Sequence, residues 1–360
     1  MNLLNKKKIL FISNNTNQET VGGRKNLTLL NKKTLKNIFE KNFFSFDIKK
    51  KKIKSIKDIL LAVTGNINGI NNEVLIKINN LIEKKKINYL FVDGSNLGKI
   101  ARKINNKNIK IVTFCHNVET DFFLKKFRYS LNFRNFYILL ANFFAEFQSV
   151  IYSDYMIFLN NRDKLRMKNF FFKKNSFIVP MSVEDRFKKI KNRVNKNKFI
   201  IFVGSNFFGN TSGLDWYIDN ISKHINLDTY VIGKNLSKKK YKINKNIRFK
   251  GYVKNLGKLY SRALFSVAPI FQGSGMKTKI AESLMFGKYV VGLNEAFVGY
   301  EKFQKQIGFK CRDANSFIKA INLLSEKKLL YCESKLRKIY LLNYSNYSMK
   351  KLYKKIFDRI

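Results

Sequence analysis

The residue types best suited to binding a charged ligand lie between positions 265 and 292, FSVAPIFQGSGMKTKIAESLMFGKYVVG. The apolar run from Phe265 to Phe271 predicts a buried strand, and the glycine loop Gln272-Gly273-Ser274-Gly275 follows it. Apolar residues then recur every fourth position from Met276, which predicts a helix that begins beside Gly275.

This succession of strand, glycine loop and helix predicts an anion site. The first amides of a helix lack partners within it, the helix dipole adds about half a positive charge, and a diphosphate binds at such a point. Lys277 and Lys279 fall in the expected first turn, where cations are unfavourable unless an anion faces them. Glu282, seven residues beyond Gly275, would lean back toward that anion and accept hydrogen bonds from sugar hydroxyls. A plain βα turn in a lysine-rich chain is the alternative.

The run GSGMKTKIAESLMFGKYVVG resembles the nucleotide-sugar segment of GT-B glycosyltransferases, in particular the retaining family-four group (glycosyl transferases group 1). Members of that group carry a G-x-G-x-K-x-K-x-x-E-A run followed by G-x-x-V-V. The resemblance implies that Glu282 holds the ribose, that Lys279 lies near the diphosphate, and that both act with His116 as the catalytic residues. It assigns no nucleophile or base. The loop residues that it implies at the donor are Gln272, Gly273, Ser274, Gly275, Met276 and Lys277.

Three departures from the family pattern bear on the donor. Gln272 stands where many relatives have a glutamate directed at the donor sugar, and the spacing to Glu282 is two residues longer than usual, so the sugar stays open. The resemblance also implies a donor contact at Gly204. Relatives place an arginine and a lysine in the loop that here runs from Gly204 to Trp216, which has neither. The cationic role therefore shifts to Lys277, Lys279 or Arg24.

The first part of the chain supplies the elements expected opposite that segment. Residues 7–13 predict a strand, and Gly22 and Gly23 precede a helical pattern. This region resembles the first βα loop of the same family, which implies that Gly22, Gly23 and Arg24 reach the donor phosphates. A plain flexible turn is the alternative.

A second polar strand end follows the predicted strand Ile111 to Cys115. His116-Asn117-Val118-Glu119 resembles the H-N-x-E segment that the family places at the donor sugar, where His116 would donate a hydrogen bond to a hydroxyl. A histidine satisfied within the core is the alternative.

The pattern of strands and helices predicts an α/β protein with two Rossmann-like doubly wound domains. The resemblance implies that these two domains face a central cleft, which is the GT-B fold. The predicted domains are an acceptor domain over residues 1–185 and a nucleotide-sugar domain over residues 196–342. A C-terminal helix over residues 343–360 would return to the first domain. In the second domain, the resemblance places the nucleotide base beside Tyr252, after the predicted strand Ile247 to Val253.

Composition limits the class of protein. The chain has 360 residues, of which 45% are hydrophobic, and it has 3 cysteines and 2 histidines in no metal-ligand spacing. No apolar run reaches the ~18 residues that span a bilayer. No Asp-x-Asp pair occurs, so we expect no metal and no cofactor besides a UDP- or GDP-linked sugar as co-substrate. A reduced, cytoplasmic location is the simplest interpretation.

The formal charge of +47 would attract polyanions such as an anionic membrane or nucleic acid. Residues 122–151 interleave aromatic and basic side chains, which favours either contact with the inner face of the cell membrane or a core helix pair with a solvated face. No nucleic-acid-binding module is recognisable, so nucleic acid is a disfavoured partner.

The sequence thus predicts a metal-independent glycosyltransferase, of the hexosyltransferase type and retaining by resemblance. It would move a sugar from a nucleotide-diphosphate sugar to a glycan or lipid-linked acceptor in surface polysaccharide synthesis. Two alternatives stay open: a sugar-nucleotide epimerase of the same fold, and a basic nucleic-acid-binding protein.

Overall fold

The protein is described here by a computed structural model in which the chain forms two compact units, Met1–Pro180 with Met349–Ile360, and Met181–Ser348. The structure describes residues 6–14, 23–49, 56–104, 106, 108–171, 175–188, 193–236 and 245–360.

The described residues of the first unit form a parallel sheet of six strands in the order β2-β1-β3-β4-β5-β6. The strands are β1 (Ile9–Ser13), β2 (Phe43–Asp47), β3 (Tyr89–Asp93), β4 (Lys110–Cys115), β5 (Tyr155–Phe158) and β6 (Ser176–Ile178). The helices are α1 (Gly23–Phe39), α2 (Ile56–Val63), α3 (Asn72–Lys85), α4 (Gly98–Arg102), α5 (Glu119–Tyr129), α6 (Phe133–Tyr152) and α7 (Asn161–Phe171).

The central strands of this sheet are continuous apolar runs because helices cover both of their faces. Every residue of β1 and β3 is buried. The strand order reverses between β1 and β3, and at such a switch point the loops at the carboxyl ends of the strands diverge and leave room for a ligand. The polar residues after β1, β3 and β4 lie at this end.

The last helix of the chain, α14 (Asn346–Phe357), packs on the sheet of the first unit. The ring of Phe357 lies edge-on to Phe39 and Tyr89, with centroids 5.2 Å away in both cases. Tyr353 is fully buried and donates a hydrogen bond of 2.7 Å to the side chain of Asn31 in α1. The C-terminal segment therefore supports the helix that carries Arg24.

The described residues of the second unit form another parallel sheet, in the order β12-β11-β10-β7-β8-β9. The strands are β7 (Phe199–Val203), β8 (Asp228–Ile232), β9 (Ile247–Gly251), β10 (Ser266–Ala268), β11 (Val290–Leu293) and β12 (Gly308–Cys311). The helices are α8 (Phe208–Asn220), α9 (Leu256–Arg262), α10 (Thr278–Met285), α11 (Gln304–Ile307), α12 (Ala314–Ser325) and α13 (Ser334–Asn343). Here the order reverses between β7 and β10, which is the Rossmann arrangement.

The helix expected beside Gly275 begins later than the sequence predicts. Strand β10 ends at Ala268, and α10 begins at Thr278, so the loop between them is longer than expected. Gly275 has a φ of +61°, a left-handed conformation that turns the chain and delays the helix. The helix end agrees with the pattern: Gly287 has a φ of +63°, and its N–H bonds the carbonyl of Leu284.

Candidate functional site

The glycine loop after β10 lies against the first turn of α8, at the switch point of the second sheet. A Cβ atom on Gly209 would lie 2.7 Å from the carbonyl oxygen of Gln272, so the loop approaches this turn at a distance that only glycine permits. Two βα connections, one after β7 and one after β10, therefore meet at one place.

Several backbone amides of this loop and of the first turn of α10 have no acceptor in the described structure. Within the described residues, no acceptor bonds the backbone N–H groups of Gly275, Met276, Thr278 or Lys279. The hydroxyl of Ser274 is buried and also lacks a partner there. Buried donors without partners are costly, and an anion would satisfy them.

Lys277 braces the loop rather than offering a free charge. Its ammonium donates to the carbonyl of Gly275 at 3.0 Å and forms an ion pair with Glu295 at 2.9 Å. Both partners are largely buried, with 11% and 15% of their side chains exposed. One of the two lysines expected at the anion is thus neutralised within the protein.

Lys279 is in a different electrostatic state. Its ammonium donates to the side-chain oxygen of Asn210 at 2.9 Å and lies 4.9 Å from the ring centroid of Phe202. No carboxylate of the described residues forms an ion pair with it. Burial, and then the neighbouring charge of Lys277, lower the pKa of Lys279 to about 7. The site therefore holds an amine that a bound anion would convert fully into the ammonium form.

Glu282 lies on the second turn of α10 and is 8% exposed. Arg186 donates to its Oε1 atom at 2.7 Å. Burial raises the pKa of Glu282, and the charge and hydrogen bond of Arg186 oppose that rise. The arginine thus supports the ionised carboxylate, which is the form that accepts hydrogen bonds from hydroxyl groups.

Three further predicted donor residues take different places in the second unit. Gly204 follows β7, and a Cβ atom there would lie 2.9 Å from the Asn210 side chain, which places Gly204 beside the partner of Lys279. Met276 is buried, and its sulfur accepts the N–H of Met181 at 3.3 Å. Tyr252 follows β9, two strands away from β7, and is 67% exposed.

His116 follows β4 and belongs to a buried polar network in the first unit. Its Nε2 atom lies 2.9 Å from Oδ2 of Asp93. Thr28 also donates to this Oδ2 atom, and Asn31 donates to Oδ1 of the same carboxylate. Burial alone would raise the pKa of Asp93, but the charge and hydrogen bond of His116, together with the two other donors, hold it below its usual value. His116 is 4% exposed, and its Nδ1 atom is buried without a partner in the described structure.

Arg24, the cation expected at the first βα loop, also has partners within the protein. Arg24 forms an ion pair with Glu119 at 2.8 Å and donates to the side chain of Asn96 at 3.1 Å. Gly23 is the first residue of α1, whereas Gly22 lies outside the described residues. Arg24 thus holds the loop after β4 and is not a free cation.

Glu146 of α6 fixes the backbone of that same loop. Its carboxylate accepts the N–H groups of Glu119 and Thr120, both at 2.9 Å, and the hydroxyl of Ser95 at 2.8 Å. Burial raises the pKa of Glu146 to about 7. Because it caps α5, this carboxylate sets where His116 and Glu119 lie.

Sequence reasoning missed several residues that complete these two sites. Asp93 had a signal, since it directly follows the apolar run from Tyr89 to Val92, and Glu146 is the one acidic residue in an apolar helix. Arg186 had none, because it follows the first domain in a polar segment without a motif. Within the described ranges, no three His, Cys, Asp or Glu side chains lie together as a metal site would require.

Residues 197–327 match the family described as glycosyl transferases group 1. The matched range includes both connections at the switch point of the second sheet, with Lys279 and Glu282. No curated protein matches the sequence.

Solved structures align with nearly the whole chain. A sucrose-phosphate synthase from Thermosynechococcus elongatus aligns over 99% of this chain and 100% of its own, with a TM-score of 0.71 and 12% identity. HepE from Anabaena in complex with UDP aligns over 98% and 100%, with a TM-score of 0.67 and 9% identity. A glycosyltransferase from Rickettsia africae aligns over 99% and 98%, with a TM-score of 0.63 and 13% identity. The expected GT-B fold and the resemblance to group 1 glycosyltransferases are confirmed.

Proposed function

We propose that this chain, a GT-B protein whose residues 197–327 match the group 1 glycosyltransferases, moves a sugar from a nucleotide-diphosphate sugar to a glycan or lipid-linked acceptor. The proposal rests on the group of hydrogen-bond donors after β10 that have no anionic partner within the described residues. Unpartnered amides and the unpaired Lys279 meet there, and the family match covers the same residues.

The leaving group is the part of the reaction that this site suits. As the bond between sugar and phosphate breaks, negative charge develops on the departing diphosphate. Preorganised amides and a cation in a buried site stabilise such charge strongly, because little reorganisation is needed. The amide of Gly275, the hydroxyl of Ser274 and the ammonium of Lys279 are the groups that we assign to it.

The remaining donor contacts are assigned by position. Glu282, oriented by Arg186, accepts hydrogen bonds from the ribose hydroxyls. Tyr252 is the side chain that we place beside the nucleotide base. HepE from Anabaena was solved with UDP and with UDP-glucose, which favours a UDP-linked donor over a GDP-linked one for this chain.

The finer features of the reaction follow the family. We propose a retaining, metal-independent transfer in which the cations and amides take the part of a metal; the missing Asp-x-Asp pair supports this assignment. In the cell we place the enzyme in the cytoplasm, peripheral to the inner face of the membrane, in surface polysaccharide synthesis.

The test is a scan of UDP- and GDP-linked sugars for binding and for turnover by the full chain, with and without EDTA. We expect one nucleotide series to bind and turnover to survive EDTA. Lys279→Gln should weaken turnover by roughly a hundredfold or more, as loss of one oxyanion donor does. The control Lys258→Gln changes an exposed lysine of α9 and should have no effect.

A chain that binds no nucleotide sugar in the scan would overturn the proposal. Turnover that EDTA abolishes and Mn²⁺ restores would overturn only the metal-independent mechanism and would leave the transferase in place.

A further inference from the structure

Helix α6 carries an uncovered apolar face along its whole length. Positions 133, 136, 140, 144, 147 and 151 follow one another by three or four residues, so their side chains share one face. The helix has 20 residues and is therefore about 30 Å long. We call the residues of this face that are exposed the apolar stripe: Phe133 (83%), Phe136 (42%), Phe144 (38%), Phe147 (41%) and Ile151 (52%).

The opposite face of α6 is the one that the fold uses. Ala141, Ala145 and Ser149 are buried there, together with the capping residue Glu146. The packing of this opposite face fixes the orientation of α6, so the exposure of the stripe follows from the fold.

Neighbouring elements extend the stripe. Leu131, in the turn before α6, is 76% exposed, and Phe170 of α7 is 51% exposed. Phe171 of α7 lies 5.7 Å from Phe143 and 6.0 Å from Phe147, measured between ring centroids, so the apolar surface continues from one helix to the next. Monomeric proteins rarely expose apolar patches of this extent unless something binds them.

The charges around the stripe have one sign. Between residues 119 and 171, all of which the structure describes, no Asp or Glu is exposed. Asp121, for example, pairs with Lys125 and Arg166. The exposed charges in this span are cationic: Arg128, Arg134 and Lys168.

We propose that the apolar stripe docks on the surface of an anionic lipid bilayer, with these cations at the headgroups. Aromatic and aliphatic side chains beside lysine and arginine are the composition of helices that lie in the interface plane. A second copy of the chain is a poorer occupant, because a symmetric contact would bring the same cations against each other. Within the described residues, no helix is long and apolar enough to cross a membrane, so the contact is peripheral.

The experiment measures partition of the full chain onto vesicles of phosphatidylcholine mixed with phosphatidylglycerol, and onto phosphatidylcholine alone. The double variant Leu131→Ser/Phe133→Ser removes the two most exposed side chains and should weaken partition by about tenfold or more, at an unchanged melting temperature. Its matched control is Ile76→Ser/Leu342→Ser, which alters equally hydrophobic side chains that are 59% and 61% exposed on other helices. This control should partition as the unaltered chain does.

A second pair of variants tests the contribution of the cations to vesicle binding. Arg128→Gln/Arg134→Gln should reduce partition onto the anionic vesicles and weaken its dependence on salt, because each well-placed cation contributes about fivefold. Lys84→Gln/Lys223→Gln removes the same charge from two exposed positions elsewhere in the chain and should change partition much less.

Two outcomes would overturn the proposal. One is equal partition of the stripe variant and its control. The other is a dimer in solution that Leu131→Ser/Phe133→Ser dissociates, which would make the stripe an interface between copies. Neither outcome bears on nucleotide-sugar binding, so the transferase proposal is tested separately.

Discussion

The two switch points of this protein differ in how their charges are satisfied. In the first unit, Asp93, Arg24 and Glu119 each have a partner within the protein. In the second unit, Lys279 has no carboxylate partner among the described residues, and the neighbouring amides lack acceptors. The carboxylates of the first site are paired within the protein, whereas the buried lysine of the second site has no anionic partner in the part of the chain that the structure describes.

This difference separates positioning from binding. A buried network of paired charges fixes its side chains in place. Removing one member lowers the stability of the fold because a buried charge is left unpaired. An open cationic site is kept partly neutral by its burial and gains its charge when an anion arrives. We therefore expect changes in the first unit to alter mainly stability and changes in the second to alter mainly donor affinity.

The largest effect is expected from Asp93→Asn. His116 would lose its anionic partner in a fully buried place, and the loss of a buried ionic partner costs about 3–5 kcal/mol. Native-state hydrogen exchange of the β1, β3 and β4 amides measures this loss of stability for the first unit alone. Asp47→Asn, which removes the partially exposed partner of Lys32, should cost less than about 1 kcal/mol. Equal losses of stability in the two variants would contradict the larger contribution that we assign to the network around His116.

Glu146 should make stability depend on pH. Its pKa rises from 4.5 to about 7 on folding, so the folded protein holds this proton more tightly than the unfolded chain. Stability from this group is full below the unfolded pKa and falls by about 3 kcal/mol as pH rises through the folded one. Melting temperatures of the unaltered chain should therefore fall relative to those of Glu146→Gln across this range. Parallel curves would contradict the assignment.

Glu282→Ala should act on the donor and hardly on the fold. Arg186 is half-exposed, so water can solvate it when the carboxylate is gone, and stability should change by less than about 1 kcal/mol. Loss of hydrogen bonds to a charged group should raise the KM for the nucleotide sugar by roughly tenfold to a hundredfold. Asp228→Ala, which removes the partner of the half-exposed Arg248, is the control and should leave the KM unchanged. A large drop in melting temperature would make Glu282 structural.

The smallest effect is the pH dependence of donor affinity. Because the pKa of Lys279 is about 7 without ligand and an anion must raise it, affinity for a UDP-sugar should be full below pH 7 and weaken above it. The weakening can reach about tenfold per pH unit. Lys279→Arg stays charged and should lose this dependence while keeping affinity at high pH. A dependence that persists in Lys279→Arg would assign the titration to another group.

The comparison also shows what the sequence could predict. The fold class and the strand–loop–helix order follow from apolar runs and glycines, and both are local signals. The start of α10 at Thr278 was missed because the left-handed Gly275 extends the loop, which periodicity does not reveal. The sequence could not predict that Lys277 is ion-paired while Lys279 is not. Their partners, Glu295 and Asn210, are distant in sequence and come close to the loop only in the folded chain.

The central claim is that a nucleoside diphosphate binds the open amides after β10. Hydrogen exchange of residues 274–279, measured with and without saturating UDP, tests it most directly. We predict that UDP slows exchange in this segment, and that Lys279→Gln reduces the slowing at equal UDP concentration. Unchanged exchange in residues 274–279 while UDP is bound, with slowing elsewhere in the chain, would contradict the account.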